Sequence, residues 1–144
     1  MSIQTQIGLV SEHNVIAQCF ARGYGVLQPI GNYLPYDLIL DVNSTLIKVQ
    51  IKTLWKDNRG SSGSYICKSC KAGGYRSQKK YVLQYKLSDF DFGICYNRDT
   101  GDMSIVPTVV FIKVGTFTAS RPENAIYLNA WHLLEEFCPH QLVV

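Results

Sequence analysis

The stretch Pro35–Lys52, PYDLILDVNSTLIKVQIK, constrains this chain more than any other segment. Side chains alternate in its first half, with Leu38, Leu40 and Val42 on one face and Asp37, Ile39 and Asp41 on the other. They alternate again in its second half, where Val49 and Ile51 oppose Lys48, Gln50 and Lys52. A period of two is that of β-strands with one face against a core. Asn43-Ser44 between the halves fits a two-residue hairpin turn. That turn pairs Val42 with Thr45 and, counting outward, Asp37 with Gln50, while Lys52 projects from the same face one step further on. A carboxylate, an amide oxygen and an ammonium thus converge on one spot, a set of groups suited to holding a metal ion and activating a water.

A chain of 144 residues has room for one domain with a real core but not for two, so a single domain over residues 1–144 is expected. Its 47% hydrophobic and 17% charged residues exclude wholesale disorder. The longest apolar runs, such as Val106–Val114, contain Pro107 and Lys113 and are too short to span a bilayer, so no membrane partner is expected. Met1-Ser2-Ile3-Gln4 lacks a basic start followed by an apolar run, which argues against a signal peptide and for a cytoplasmic protein. The five cysteines should then be reduced. Cys67-Lys-Ser-Cys70 has the first half of a zinc knuckle, but no second CxxC or HxxxH follows, so free thiols are the better reading and a zinc module the alternative. Cys95, in the apolar run Phe92–Tyr96, reads as buried. His13, His132 and His140 show no metal-ligand spacing.

Charge is segregated along the chain. Lys48–Lys86 holds ten Lys/Arg against one acid, Asp57, for a net +9, whereas the remainder holds four basic and ten acidic residues, for a net −6. Such a division builds a basic surface for a polyanion. The densest part, Lys71-Ala-Gly-Gly-Tyr-Arg-Ser-Gln-Lys-Lys-Tyr81, interleaves charge with small and aromatic residues. Arg76, Gln78, Lys79 and Lys80 are suited to phosphates or base edges, and Gly73-Gly74 allows close backbone approach. Lys56, Arg59, Lys71 and Tyr75 complete the candidate nucleic-acid contacts, although Tyr75, Tyr81 and Tyr85 read more readily as packing residues than as stacking platforms.

Elsewhere, Ile3, Ile7, Val10, Ile16 and Phe20 are spaced as in a helix that Gly23 ends, and Glu12 lies inside it. Val26–Ile30 reads as a short strand, and the strand after the turn should run to about Trp55. Residues 56–64 form a loop, Tyr65–Cys67 a strand, and Lys68–Lys80 a second, basic loop. Phe92–Asn97 and Met103–Val106 read as another hairpin, with Asp89 and Asp91 capping its first strand. Pro107 would open a helical turn to Phe111, and Asn129 would cap a last helix over Ala130–Phe137, closed by Pro139.

Pro35-Tyr36-Asp37 followed after the turn by Gln50-Ile51-Lys52 resembles the signature of the PD-(D/E)XK nucleases, with Gln50 in place of the usual Glu or Asp. The wider pattern, from the helix holding Glu12 to Pro107, is most similar to small homing endonucleases of cyanobacterial group I introns, which carry Gln at this place. The resemblance implies an α/β fold with a mixed central sheet flanked by helices. It also implies a double-strand-specific DNA endonuclease that cuts a defined site by metal-dependent phosphodiester hydrolysis. Mg²⁺, or Mn²⁺ in its place, would be held by Asp37, Gln50 and Glu12, and Lys52 would handle the attacking water. It further implies a homo-oligomer, a dimer or larger with a tetramer favoured, because two sites are needed to cut two strands. An archaeal-type Holliday-junction resolvase and an inactive DNA-binding nuclease fold remain as alternatives, the latter with Gln50 as the mark of decay.

Overall fold

The computed structural model describes residues 1–59, 63–70, 75–76, 79–80, 84–113 and 115–139. Helix α1 (Ile3–Ala21) starts where the Ser2 hydroxyl accepts the Thr5 N–H at 3.1 Å. It stops at Gly23, which takes φ 78° and donates to Phe20 O at 3.0 Å, while Tyr24 N–H reaches Cys19 O at 3.0 Å. These two bonds satisfy carbonyls that the helix end would otherwise orphan. Ser11, Val15 and Cys19, each four residues from the next, form the buried stripe by which α1 packs. Burial pushes the Cys19 thiol up to about 12, so this sulfur serves packing.

Strand β1 (Gly25–Leu27) runs antiparallel to β2 (Leu38–Val42), and β2 to β3 (Thr45–Lys56). The expected register holds: Val42 faces Thr45 and Leu38 faces Val49. Asn43 and Ser44 take φ 51° and 69°, the left-handed pair of a type I′ turn, whose twist matches that of the strands. Strand β3 is long because three partners use it in succession. It pairs with β2 over Thr45–Val49, in parallel with β7 (Phe92–Asn97) over Val49–Leu54, and with β4 (Tyr65–Lys68) through Trp55 and Lys56. Strand β7 forms the expected hairpin with β8 (Met103–Pro107), and β4 carries β9 (Thr116–Thr118) on its other edge. Parallel β3–β7 within an otherwise antiparallel arrangement makes the sheet mixed.

Each face of this sheet has its own core. Leu38, Leu40, Val42, Ile47, Val49, Ile51 and Ile94 pack with Val15 and Cys19 of α1, and with Leu134 of α3 (His132–Glu135). On the other face Leu54, Cys95, Val106, Phe90 and Phe117 pack with Phe111 of α2 (Thr108–Phe111). Helices therefore lie on both sides of the sheet, as the α/β reading requires. Each of these aliphatic and aromatic side chains contributes about 1.5–3 kcal/mol when fully buried. Gly93 lets α2 come close, since a Cβ there would meet the Phe111 ring at 3.2 Å.

Several sequence expectations need correction. The last helix is shorter than Ala130–Phe137, and Asn129 does not cap it. Asn129 adopts φ 48° and uses its side chain on β8, accepting Met103 N–H at 2.9 Å and donating to Asp102 Oδ1 at 3.0 Å. Pro107 precedes α2 as its cap residue instead of occupying its first turn. The strand expected over Val26–Ile30 ends at Leu27, β9 was not anticipated, and a 3-10 helix covers Pro122–Tyr127. Within the basic loop, β5 (Tyr75–Arg76) and β6 (Lys79–Lys80) form a two-residue antiparallel ladder. All five cysteines are free as expected, with Cys67 Sγ 3.6 Å from Cys95 Sγ. Among the described residues no helix is long and apolar enough to cross a membrane.

Candidate active site

Asp37 sits one residue before β2 and is fixed through β3 twice. Its N–H donates to Val49 O at 2.9 Å, and its Oδ2 accepts Ile51 N–H at 2.8 Å. The register thus continues past Leu38–Val49 and brings Asp37 across from Gln50. Both are half-buried, on the sheet face opposite Leu38, Val49 and Ile51. The Gln50 amide nitrogen has a long 3.5 Å contact to Ile51 O, which leaves its oxygen for another donor or a cation. Burial holds the Asp37 carboxyl above its ordinary range. The Ile51 N–H and the Lys52 charge pull it down, while the Glu12 charge pushes it up.

Lys52 extends from the same face as Gln50. Its ammonium lies 5.3 Å from the centre of the Tyr85 ring and makes a long 3.5 Å contact to Cys70 O. Tyr85 is itself buried, edge-on to Phe90 at 4.9 Å. The packing role expected for Tyr85 is therefore correct, and the same ring also backs Lys52. Asp37, Gln50, Lys52 and Tyr85 line one cleft of about 410 Å³, with Tyr33, Leu34 and Pro35 along another wall. Asp91 stands apart from this group. Its carboxylate accepts Lys48 N–H at 2.8 Å and its N–H returns to Lys48 O at 2.9 Å, a brace at the start of β7.

Glu12 arrives from α1, which is keyed to β3 by a 2.6 Å hydrogen bond between the Ser11 and Thr53 hydroxyls. Its Oε1 accepts from Gln28 Nε2 at 3.3 Å. Glu12 does not form part of the cleft wall, yet it is close enough for its charge to act on Asp37. No group of three or more His, Cys, Asp or Glu side chains comes together among the described residues. A cation here would have at most two carboxylates, with Gln50 and water completing its shell. That donor set suits Mg²⁺, which prefers hard oxygen ligands and keeps much of its water. Sequence reasoning overlooked Gln28, Tyr33 and the Ser11–Thr53 key, because each acts through a partner distant in the chain.

The candidate nucleic-acid contacts are less uniform. Lys56 is exposed at the end of β3. Arg59 is also exposed, but its Nε donates to Asp57 Oδ1 at 3.0 Å, and this pairing holds the Asp57 carboxyl below its ordinary range. Tyr75, Arg76, Lys79 and Lys80 supply the β5–β6 ladder. Lys71 and Gln78 lie outside the described residues.

A mixed sheet whose central hairpin presents a tethered Asp and a Gln-x-Lys on one face, beside a helical Glu, is the framework of a nuclease. Residues 3–134 match the PD-(D/E)XK endonuclease family, and the chain belongs to it. Its structure is similar to that of a bacterial homing endonuclease, I-Ssp6803I, with a TM-score of 0.84 and 29% sequence identity over 93% of this chain and 94% of that one. No curated protein sequence gives a significant match.

Proposed function

We propose that this endonuclease cuts double-stranded DNA at a defined site, as a homing endonuclease of a group I intron, and that Asp37, Gln50, Lys52 and Glu12 form its reaction centre. The observation that carries this reading is the Asp37 carboxylate, pinned by Ile51 N–H at 2.8 Å and sharing a cleft with Gln50 and Lys52. Asp37, Gln50 and Glu12 would hold a divalent cation, Mg²⁺ or Mn²⁺, which when bound neutralises phosphate charge and makes a water nucleophilic. The chain's own groups do the rest. Tyr85 and Cys70 O steer the Lys52 ammonium into the cleft, where its N–H groups orient the water and steady charge growing on the phosphate oxygens. Leu34 and Pro35 line the cleft that a phosphate would enter. The net +9 of Lys48–Lys86 supplies long-range attraction for the duplex, with Lys56, Arg59, Lys71, Tyr75, Arg76, Gln78, Lys79 and Lys80 as its contacts.

Cutting two strands calls for two such centres, so the working form is a dimer or larger, and the resemblance favours a tetramer. Exposed Ile3, Val10 and Phe20 on α1 support assembly. The test is cleavage of a plasmid library with random duplex inserts, in Mg²⁺ and in EDTA. Wild type should linearise a subset sharing one sequence, and Lys52→Ala should lose roughly a hundred- to a thousandfold in rate while still binding DNA. Equal cutting by both proteins would sink the assignment. Preferential cutting of four-way junctions would replace the site-specific reading with a resolvase.

A further inference from the structure

The segment Gln28–Asp37 joins the two carboxylates of the centre. Gln28 holds Glu12 at one end, and Asp37 is locked to Val49 and Ile51 at the other. Between these anchors the chain turns at Gly31, φ 89°, and projects two large side chains into solvent: Ile30 is 96% exposed and Tyr33 81%. Neither supports the core. The Tyr33 ring lies over Gly31, where an added Cβ would touch it at 3.5 Å, and it forms one wall of the cleft. Lys48, its ammonium 5.7 Å from the Tyr36 ring, borders the same segment with positive charge. Two large side chains this exposed, three residues apart, gain free energy when a partner covers them.

We infer that Ile30 and Tyr33 are a wedge that enters the DNA base stack beside the scissile phosphate, so that this segment reads how easily the duplex unstacks there. The inference rests on the nuclease reading above and concerns the same site. Its occupant is duplex DNA because Tyr33, three residues from Ile30, lines the cleft that would receive the phosphate, and because Lys52 in that cleft and Lys48 over Tyr36 bring positive charge to the same segment. Apolar wedges separate base steps at a cost of a few kcal/mol, and flexible pyrimidine–purine steps yield most readily. A wedge therefore favours DNA that is already unstacked.

The experiment compares binding of the full chain, in EDTA, to two fluorescent duplexes that differ by one central T·T mismatch, read by anisotropy. Wild type should prefer the mismatched duplex roughly tenfold, a fraction of the unstacking cost. Ile30→Ser/Tyr33→Ser should lose that preference, its ratio of mismatched to matched affinity falling to about one. Both positions are exposed, so the variant's thermal unfolding should match wild type. Lys52→Ala should keep the preference, which separates this inference from the nuclease assignment: persistent cutting by Lys52→Ala overturns the assignment, whereas the mismatch ratio judges the wedge. Equal binding of both duplexes by wild type, or an unchanged ratio in the double variant, overturns the wedge. A lower sedimentation mass for the double variant would also overturn it, by assigning the pair to contact with a second copy of the chain.

Discussion

The two hairpins of the sheet have the same hydrogen-bonding scheme and opposite uses. In β7–β8 every residue of β7 is buried, as are the first four of β8. Successive residues of β7 serve different cores, Phe92, Ile94 and Tyr96 one and Cys95 the other. In β2–β3 burial alternates strictly from Leu38 to Val42 and from Ile47 to Ile51. Its second face is covered at Leu54 but open at Gln50 and Lys52, because the core around Phe90 and Phe111 stops short of them. The contrast shows how a strand pair can be suited to carry an active site. One face is anchored well enough to fix geometry to a fraction of an ångström, and the other is left where water, a cation and substrate can enter. The buried hairpin contributes rigidity to this arrangement, with β7 lying in parallel beside Gln50 and Lys52.

That contrast can be broken by substitution, and the largest expected effect is in the buried hairpin. Ile94→Ala, at a position with no exposed surface, should cost about 2–5 kcal/mol in urea denaturation. Gln50→Ala, half-buried and with a long 3.5 Å contact to Ile51 O, should cost less than about 1 kcal/mol. Equal losses would mean that the open face is as structural as the closed one. An effect of opposite sign, smaller than that at Ile94, is expected at Asp37. Asp37→Asn can keep an oxygen for Ile51 N–H while removing a charge that burial disfavours, so it should gain about 0.5–2 kcal/mol and still abolish cleavage. A loss of stability there would show that the carboxylate is structural.

The same contrast explains what could be read from the sequence. The β2–β3 hairpin was legible in detail because one local device, the Asn43-Ser44 turn, sets a register that propagates to Asp37 and Gln50. Helix α1 was legible because its ends depend on near neighbours, Ser2 at one end and Gly23 at the other. Asn129 misled because its capping propensity was outcompeted by Met103 N–H and Asp102, partners more than twenty-five residues away. Strand β9 has three residues and borrows its regularity from β4, so no local pattern announced it. Within the candidate site, charge and alternation pointed to Asp37, Gln50 and Lys52, which share one cleft. The residues that aim them, Tyr85 behind Lys52 and Thr53 against Ser11, depend on packing between elements.

The smallest expected effect lies in pH, and it isolates the open face from the rest of the molecule. Asp37 is held above its ordinary 3.8 chiefly by burial, so the folded chain keeps this proton to a higher pH than the unfolded chain does. Between the two values the native state binds more protons, and stability must fall as pH rises. The contribution is full below 3.8 and is lost as pH climbs through the raised folded value. Other carboxylates titrate in the same range, so the measurement is the difference between wild type and Asp37→Asn in thermal unfolding without divalent ions. That difference should open by about a few °C as pH rises from the acid limit. Adding Mg²⁺ near neutral pH should narrow it again, since a cation bound to the ionised Asp37 stabilises the folded state that carries it. A difference that is flat with pH would mean that Asp37 meets no more desolvation than a surface carboxylate, and the open face would then be ordinary solvated sheet.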